Sequence, residues 1–179
     1  DLGPRRAPLL PDKDPLAAAD AVLLESTYGA RTHPPAVETV DRLRATLVAA
    51  RESGGVVIIP TFAVGRAQQL LYRLGQLSRA GVLGGMPVYL DTNLALRATE
   101  VYGKHADRLE PAAKELLRRG QNPMHFPELF YIDNRRDSMR LARLRSAAVI
   151  IAGAGFCHGG PITHHLQTFL PRHEARLLL

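Results

Sequence analysis

Residues 54–74, GGVVIIPTFAVGRAQQLLYRL, contain the two patterns that decide the fold. The run 55–60 is short, rich in β-branched residues and bounded by glycine and proline, which is typical of a strand buried on both faces. From residue 64 to 79 the apolar residues recur at helical spacing. A buried strand followed directly by an amphipathic helix is the repeating unit of α/β proteins.

The same alternation runs along the rest of the chain. Strands are predicted at 21–25, 55–60, 86–91, 129–133, 147–153 and 175–179. Helices are predicted at 36–52, 64–79, 94–104, 110–119, 135–144 and 161–169. This order predicts right-handed crossovers and a mainly parallel, doubly wound sheet in a three-layer α/β/α fold. Ligands are then expected outside the carboxyl ends of the strands.

Composition narrows the class of protein. The 179 residues are 46% hydrophobic, enough to bury the core of one domain, and no apolar run is long enough to cross a membrane. The 23 basic and 17 acidic residues leave a charge of +6, which favours a polyanionic partner such as nucleic acid. Arginine dominates, so coding bias is an alternative explanation. The one cysteine, Cys157, excludes an internal disulfide and favours a reducing, cytoplasmic compartment.

The two ends of the chain predict a piece of a longer protein. The sequence begins at Asp1 instead of methionine, and ARLLL (175–179) reads as the first half of a strand. Residues 3–18 are rich in proline and charge, as in a linker. No internal repeat is evident.

Polar loops follow three of the predicted strands and should gather at one edge of the sheet. They are ESTYGARTH (25–33), PTFAVGRAQQ (60–69) and GAGFCHGGPITHH (153–165). In the second, Thr61 can cap the helix, Gly65 allows close approach, and Arg66 points a guanidinium toward the edge. A helix N-terminus beside an arginine suits phosphate, although Arg66 could instead pair with a surface acid.

The third loop offers backbone N–H groups at its glycines, which also suits an anion. The seven histidines form neither HExxH nor HxHxDH, so the chain has no self-contained metal motif. His164 and His165 are adjacent on a helix, and their directions differ by about 100°, so at least one must turn away from the loop. Cys157 is interpreted as a packing or incidental residue.

Glu25 ends the first predicted strand and leaves two interpretations open. A carboxylate at a strand end is often only a cap or a partner for a nearby arginine. At the carboxyl edge of a parallel sheet it can also take part in chemistry.

Four segments together resemble a known family. LLESTYGARTH (23–33), residues 54–74, MPVYLDTNLALRATEVYGKH (86–105) and VIIAGAGFCHGGPITHHL (149–166) resemble, in this order, the β-CASP segment of metallo-β-lactamase-fold nucleases that process RNA. The opening DLGPRR resembles the family's fourth metallo-β-lactamase motif, whose Asp bridges two zinc ions. The resemblance therefore implies that Asp1 is a metal ligand. It also implies that residues 1–20 are the end of the metallo-β-lactamase part with a linker, and that residues 21–179 form a β-CASP domain truncated at its C-terminal end.

The resemblance also implies a mechanism for the full-length parent. Two zinc ions would lower the pKa of a shared water for hydrolysis of an RNA phosphodiester. Glu25 would be the acidic residue that orients a histidine from a later motif, beyond residue 179. This piece would form one wall of the RNA cleft. Its phosphate contacts would come from Arg66, Arg31 and the loop that carries Gly155, Gly159, Gly160 and His164. On its own, the piece would bind no zinc and cleave no RNA.

Departures from the family pattern keep alternatives open. Relatives usually carry Asp at position 30, Pro at 93 and Arg at 161, where this chain has Ala30, Asn93 and Pro161; Phe156 replaces a usual Met. The alternatives are an inactive scaffold subunit and, from GAGFCHGG (153–160), a dinucleotide-binding domain, although that motif normally follows the first strand. Expected partners are RNA and the metallo-β-lactamase domain of the same chain, with no membrane; a homodimer stays open.

Overall fold

The computed structural model describes residues 7–15, 17–32 and 34–179. Six helices and five strands form in them, and helix and strand alternate except that the fourth helix follows the third with no strand between them. They are α1 (Ala36–Ser53), β1 (Val56–Pro60), α2 (Arg66–Arg79), β2 (Val88–Asp91), α3 (Asn93–Lys104), α4 (Pro111–Arg118), β3 (Leu129–Tyr131), α5 (Arg135–Arg140), β4 (Ala148–Ala152), α6 (Pro161–Phe169) and β5 (Arg176–Leu177). Short 3₁₀ turns follow α3, at Ala106–Arg108, and α5, at Leu141–Arg143.

The five strands form one sheet in the order β3-β2-β4-β1-β5, and every neighbouring pair is parallel. The central pair, β1 and β4, is in register from Val56 with Ala148 to Pro60 with Ala152. Because successive strands add on both sides of β4 and β1, the sheet is doubly wound. The predicted three-layer α/β/α class is confirmed.

Alternate residues of the central strands enter two separate cores. Val57 and Ile59 pack with buried side chains of α1 to α4 on one face of the sheet. Val56 and Ile58 pack on the other face with Ile162 and Phe169 of α6 and with Leu141 of the 3₁₀ turn after α5. When successive side chains of a strand are all buried, the strand has a continuous apolar sequence. This is why the sequence predicts these strands.

Helix α1 shows how a surface helix is specified here. Leu43, Leu47 and Ala50 lie on its buried stripe, while charged residues cover the outer side. Gly54 follows the helix in the left-handed conformation, with φ of 71°, and its N–H donates to the Ala50 carbonyl. In the described part of the chain, no helix is long and apolar enough to cross a membrane.

The strand predicted at 21–25 is wrong. No strand forms there, and Val22, Leu23 and Leu24 are all exposed, Leu23 completely so. An apolar run predicts that a segment tends to be buried, but a strand also needs a neighbouring backbone edge to pair with. Within the described residues this segment pairs with none of the five strands, so its local pattern is not enough to place it.

Candidate functional site

Two of the three predicted loops meet at the carboxyl edge of the sheet. The Thr61 N–H donates to the Ala152 carbonyl over 2.9 Å, which joins the end of β1 to the end of β4. One residue further on, the Phe62 ring meets the Phe156 ring edge to face, with 4.9 Å between the ring centroids. The expectation that loops 60–69 and 153–165 gather at one edge is therefore confirmed.

Glycines in the 153–160 loop allow this close approach. A Cβ placed on Gly155 would lie 2.8 Å from the Phe62 ring, closer than side-chain carbons come in proteins. A Cβ on Gly160 would lie 2.7 Å from the Gly153 carbonyl oxygen, and Gly160 also has φ of 70°. Gly159 lies in the same turn with φ of 72°. Both positive angles favour glycine, since other residues are strained there.

The start of α2 is capped differently from the prediction. Thr61 was expected to cap the helix, but its hydroxyl is buried and donates to the Phe62 carbonyl. The residue before the helix is Gly65, whose N–H donates to Oε1 of Gln68 over 2.7 Å. The Gln68 amide is fully buried and donates to the Ala63 and Ala95 carbonyls. Gln68 thus ties the 61–65 loop to α3, a role that its place in the helical pattern did not reveal.

Arg66 is exposed at the first position of α2 and borders a cleft of about 590 Å³. We call this the arginine cleft: it lies between α1, α2 and the end of β1 and is lined by Arg42, Arg66 and Arg73, with no Asp or Glu among its described lining residues. Arg42 pairs with Glu38, and Arg73 donates to Gln76. Arg66 forms no ion pair with another described residue, so the alternative of a surface acid partner gains no support.

The remaining predicted loop, which carries Glu25 and Arg31, follows no strand of the sheet, so its expected place at that edge is not confirmed; its described residues form a turn of their own. Gly29 N–H donates to the Ser26 carbonyl and Arg31 N–H to the Tyr28 carbonyl, each over 3.0 Å. The exposed Glu25 carboxylate accepts from the Thr27 N–H at 2.8 Å. The backbone and side-chain hydrogen bonds from Thr27 lower the pKa of Glu25. Its carboxylate is therefore ionised at neutral pH. Arg31, further along the same turn, is also exposed.

A buried polar cluster that the sequence analysis did not predict lies beneath the same edge. Asp91 ends β2, and its Oδ2 accepts from the Ser138 hydroxyl at 2.5 Å and lies 2.6 Å from His165 Nε2. All three side chains are buried. The carboxylate stands between serine and histidine, so no imidazole is placed to take the serine proton and the cluster is not a nucleophilic triad. Instead it connects β2, α5 and α6.

His164 and His165 point in different directions, as helical geometry predicts. His165 turns inward to Asp91. His164 lines a second cleft, of about 650 Å³, together with Asn93, Arg135 and Gly160. His164 Nε2 is buried and has no hydrogen-bond partner in the described chain. His164 therefore lies at the start of α6 and borders the cleft on the β2 and β3 side of the 153–160 loop.

The predicted metal ligand lies outside the residues that the structure describes. Asp1, the predicted bridging ligand, lies outside the described residues. Within 7–15, 17–32 and 34–179, no group of three or more His, Cys, Asp or Glu side chains could hold a metal ion. The described residues therefore do not fit a zinc centre by themselves.

Comparison with known proteins decides the family. The model of the Beta-Casp domain matches residues 67–179, well over half of the chain. The chain belongs to the Beta-Casp domain family. The matched range of this Beta-Casp chain includes the 153–160 loop, Asp91 and His165, and it begins immediately after Arg66.

Three longer proteins are similar to this Beta-Casp chain over more of its length. A ribonuclease of Thermus thermophilus is 37% identical over 93% of the chain. An RNase J-like protein of Methanocaldococcus jannaschii is 34% identical over 89%, and the transcription termination factor FttA of Methanosarcina mazei is 30% identical over 84%. The chain spans 38%, 36% and 24% of the lengths of these three relatives.

Proposed function

We propose that this chain is the Beta-Casp portion of a zinc-dependent ribonuclease that hydrolyses RNA phosphodiester bonds, and that it forms one wall of the RNA cleft. The observation that carries the proposal is the arginine cleft beside two strand-end loops that meet at the carboxyl edge of the sheet. Relatives named as a ribonuclease and as RNase J-like support the reaction class.

The arginine cleft suits a phosphodiester backbone. Three guanidinium groups line it, and no Asp or Glu side chain is among its described lining residues. Arg42 is paired with Glu38, whereas Arg66 has no acid partner among the described residues. Arginine presents several N–H donors in a planar fork that matches two phosphate oxygens. Contacts of this kind hold a strand by its phosphates and do not depend on base sequence.

The 153–160 loop adds neutral donors near the same edge. The N–H groups of His158, Gly159 and Gly160 make no hydrogen bond to another described residue, so they remain available to an anion. Successive backbone N–H groups in a turn form a concave site for a phosphate oxygen. Arg31, on the turn after Glu25, is proposed as a further phosphate contact.

Glu25 is proposed as the carboxylate that orients a histidine supplied by the rest of the full-length protein. It is exposed and ionised, and the hydrogen bond it accepts from Thr27 occupies Oε2. Because the carboxylate is exposed, it could also accept from an imidazole N–H, which would set the tautomer of that histidine. Zinc, with Asp1 as one ligand, belongs to the same proposal and would supply an activated water in the full-length protein.

Cleavage of a 5′-labelled single-stranded RNA by the full-length protein tests the proposal. We expect cleavage that a chelator abolishes and added zinc restores. Tight RNA binding without cleavage under any metal would instead support the inactive scaffold. A full-length protein that neither binds nor cuts RNA would refute the assignment to RNA.

A further inference from the structure

Phe62 and Phe156 form an exposed aromatic pair at the carboxyl edge of the sheet. The exposed fractions are 46% for Phe62 and 75% for Phe156. Large apolar rings are normally removed from water, because exposing them forfeits the free energy of burial. Two such rings held side by side at the carboxyl edge, where α/β proteins bind their ligands, therefore form a candidate binding surface.

The pair is held in place by the loops that carry it. The two rings meet edge to face, an arrangement favoured by the ring quadrupoles. The backbone at Gly155 lies so close to the Phe62 ring that a Cβ there would collide with it. Phe62 is therefore packed on one side by the glycine loop, while most of the Phe156 ring remains open to solvent.

The loop that carries Phe62 also borders the arginine cleft. Thr61, the residue before Phe62, lines that cleft, and Arg66 follows four residues after Phe62. Bases and phosphates of a single strand are separated by one sugar, so a stacking surface on the loop that borders an arginine-lined cleft matches the chemistry of one strand. Proteins that bind single strands combine a positive groove with aromatic side chains in this way.

We propose that the Phe62–Phe156 pair is a stacking platform for a base of single-stranded RNA. The proposal rests on the function proposed above and adds to it a base-binding subsite at the carboxyl edge of the sheet. Every base has a flat π-face, so stacking here selects for single strands and tolerates different sequences.

Charge favours RNA over a protein surface as the occupant. A protein docking on exposed phenylalanines would also meet Arg66, exposed and without an acid partner in the described chain, and a cleft lined by three arginines. The chain as a whole carries +6. A polyanion with flat apolar bases complements both features at once.

The affinity of the full-length protein for a labelled single-stranded oligoadenylate, measured by fluorescence anisotropy, tests the platform. Phe156→Ala should weaken binding about fivefold or more, since stacking on an aromatic ring is lost. Phe156→Tyr should retain wild-type affinity, and Phe156→Leu should not. The matched control is Phe130→Ala on β3, because Phe130 is 50% exposed and also faces another ring, that of Tyr89. That control should bind like the wild type.

Two further probes separate stacking from charge. An abasic ribose-phosphate oligomer of the same length should bind the wild type and Phe156→Ala equally, because it has no base to stack. An oligonucleotide with one 2-aminopurine should lose fluorescence on binding to the wild type and much less on binding to Phe156→Ala. Thermal melts of each variant check that folding is retained.

The following results would overturn the platform. They are wild-type affinity in Phe156→Ala, full affinity in Phe156→Leu, or an equal loss on the abasic oligomer. A melting temperature lowered more in Phe156→Ala than in Phe130→Ala, with RNA affinity unaltered, would assign the pair to a protein contact. If the wild type cuts and binds RNA but Phe156→Ala matches it, only this inference fails. If the wild type binds no RNA, the proposed function fails with it.

Discussion

Glu25 is an exposed carboxylate whose measurable contribution should be to chemistry, not to folding. Its hydrogen bond comes from Thr27 within the same turn, and that contact lowers its pKa. An exposed, locally satisfied carboxylate adds little to the free energy of unfolding. The two interpretations of Glu25 therefore predict different effects of a substitution. A capping residue changes the free energy of unfolding, whereas a carboxylate that orients a histidine changes the cleavage rate.

Glu25→Gln in the full-length protein should reduce RNA cleavage by about 100-fold or more, a usual size for the loss of acid–base assistance. Glutamine retains an acceptor for the Thr27 N–H but removes the charge that would orient a histidine. Single-turnover cleavage and thermal melts on one preparation measure both effects. Glu52→Gln is the control, because Glu52 is also an exposed glutamate. If Glu25→Gln lowers the melting temperature and leaves the cleavage rate unchanged, Glu25 is only a turn residue.

Helices and strands around the site are joined by buried polar contacts as well as by apolar packing. Asp91 at the end of β2 accepts hydrogen bonds from Ser138 of α5 and, with the proton on Nε2, from His165 of α6. Both helices lie on the same face of the sheet, where their apolar contacts are fewer than on the α1 to α4 face. The Asp91 cluster therefore fixes α5 and α6, and with α6 the end of the 153–160 loop.

Asp91→Ala should lower the free energy of unfolding by about 3 kcal/mol, because it leaves buried partners in Ser138 and His165 without an acceptor. Asp91→Asn keeps one acceptor oxygen and should cost less. Urea denaturation followed by circular dichroism measures both. Asp41→Ala on the exposed side of α1 is the control and should stay within about 0.5 kcal/mol of the wild type. An equally small effect for Asp91→Ala would show that the cluster is dispensable.

The molecule as a whole combines a net charge of +6 with a cleft that concentrates arginines at one sheet edge. Charge spread over a surface attracts any polyanion, whereas a cleft lined by arginines holds the polyanion at a defined place. Most other arginines with ion pairs lie on helices away from this cleft, such as Arg118 with Glu115 and Arg140 with Asp137. Their charges are partly neutralised, which leaves Arg66 as the better phosphate contact.

Arg66→Ala in the full-length protein should weaken binding to all single-stranded RNA sequences alike. It should also reduce the slope of log affinity against log salt by about 0.7, the value for one phosphate contact on a single strand. Anisotropy titrations at several salt concentrations measure the slope. Arg118→Ala is the control, since Arg118 already pairs with Glu115. Equal slopes in the two variants would show that Arg66 contacts no phosphate.

The sequence by itself determined the elements and the class of fold. All six predicted helices and five of the six predicted strands form, because helical and strand periodicities follow from local backbone geometry. Their alternation is enough to predict a parallel sheet with helices on both faces. Likewise the glycines and Arg66 could be assigned to strand-end loops, since each loop directly follows its strand in the chain.

Only the tertiary structure decided which of these residues meet. Phe62 and Phe156 are 94 residues apart, and Asp91 and His165 are 74 apart. They come together because β4 lies between β2 and β1, an order that periodicity does not encode. For the same reason the apolar run at 22–24 could not be placed: its pattern reports a tendency to be buried, whereas a strand forms only where a neighbouring backbone edge is free to pair.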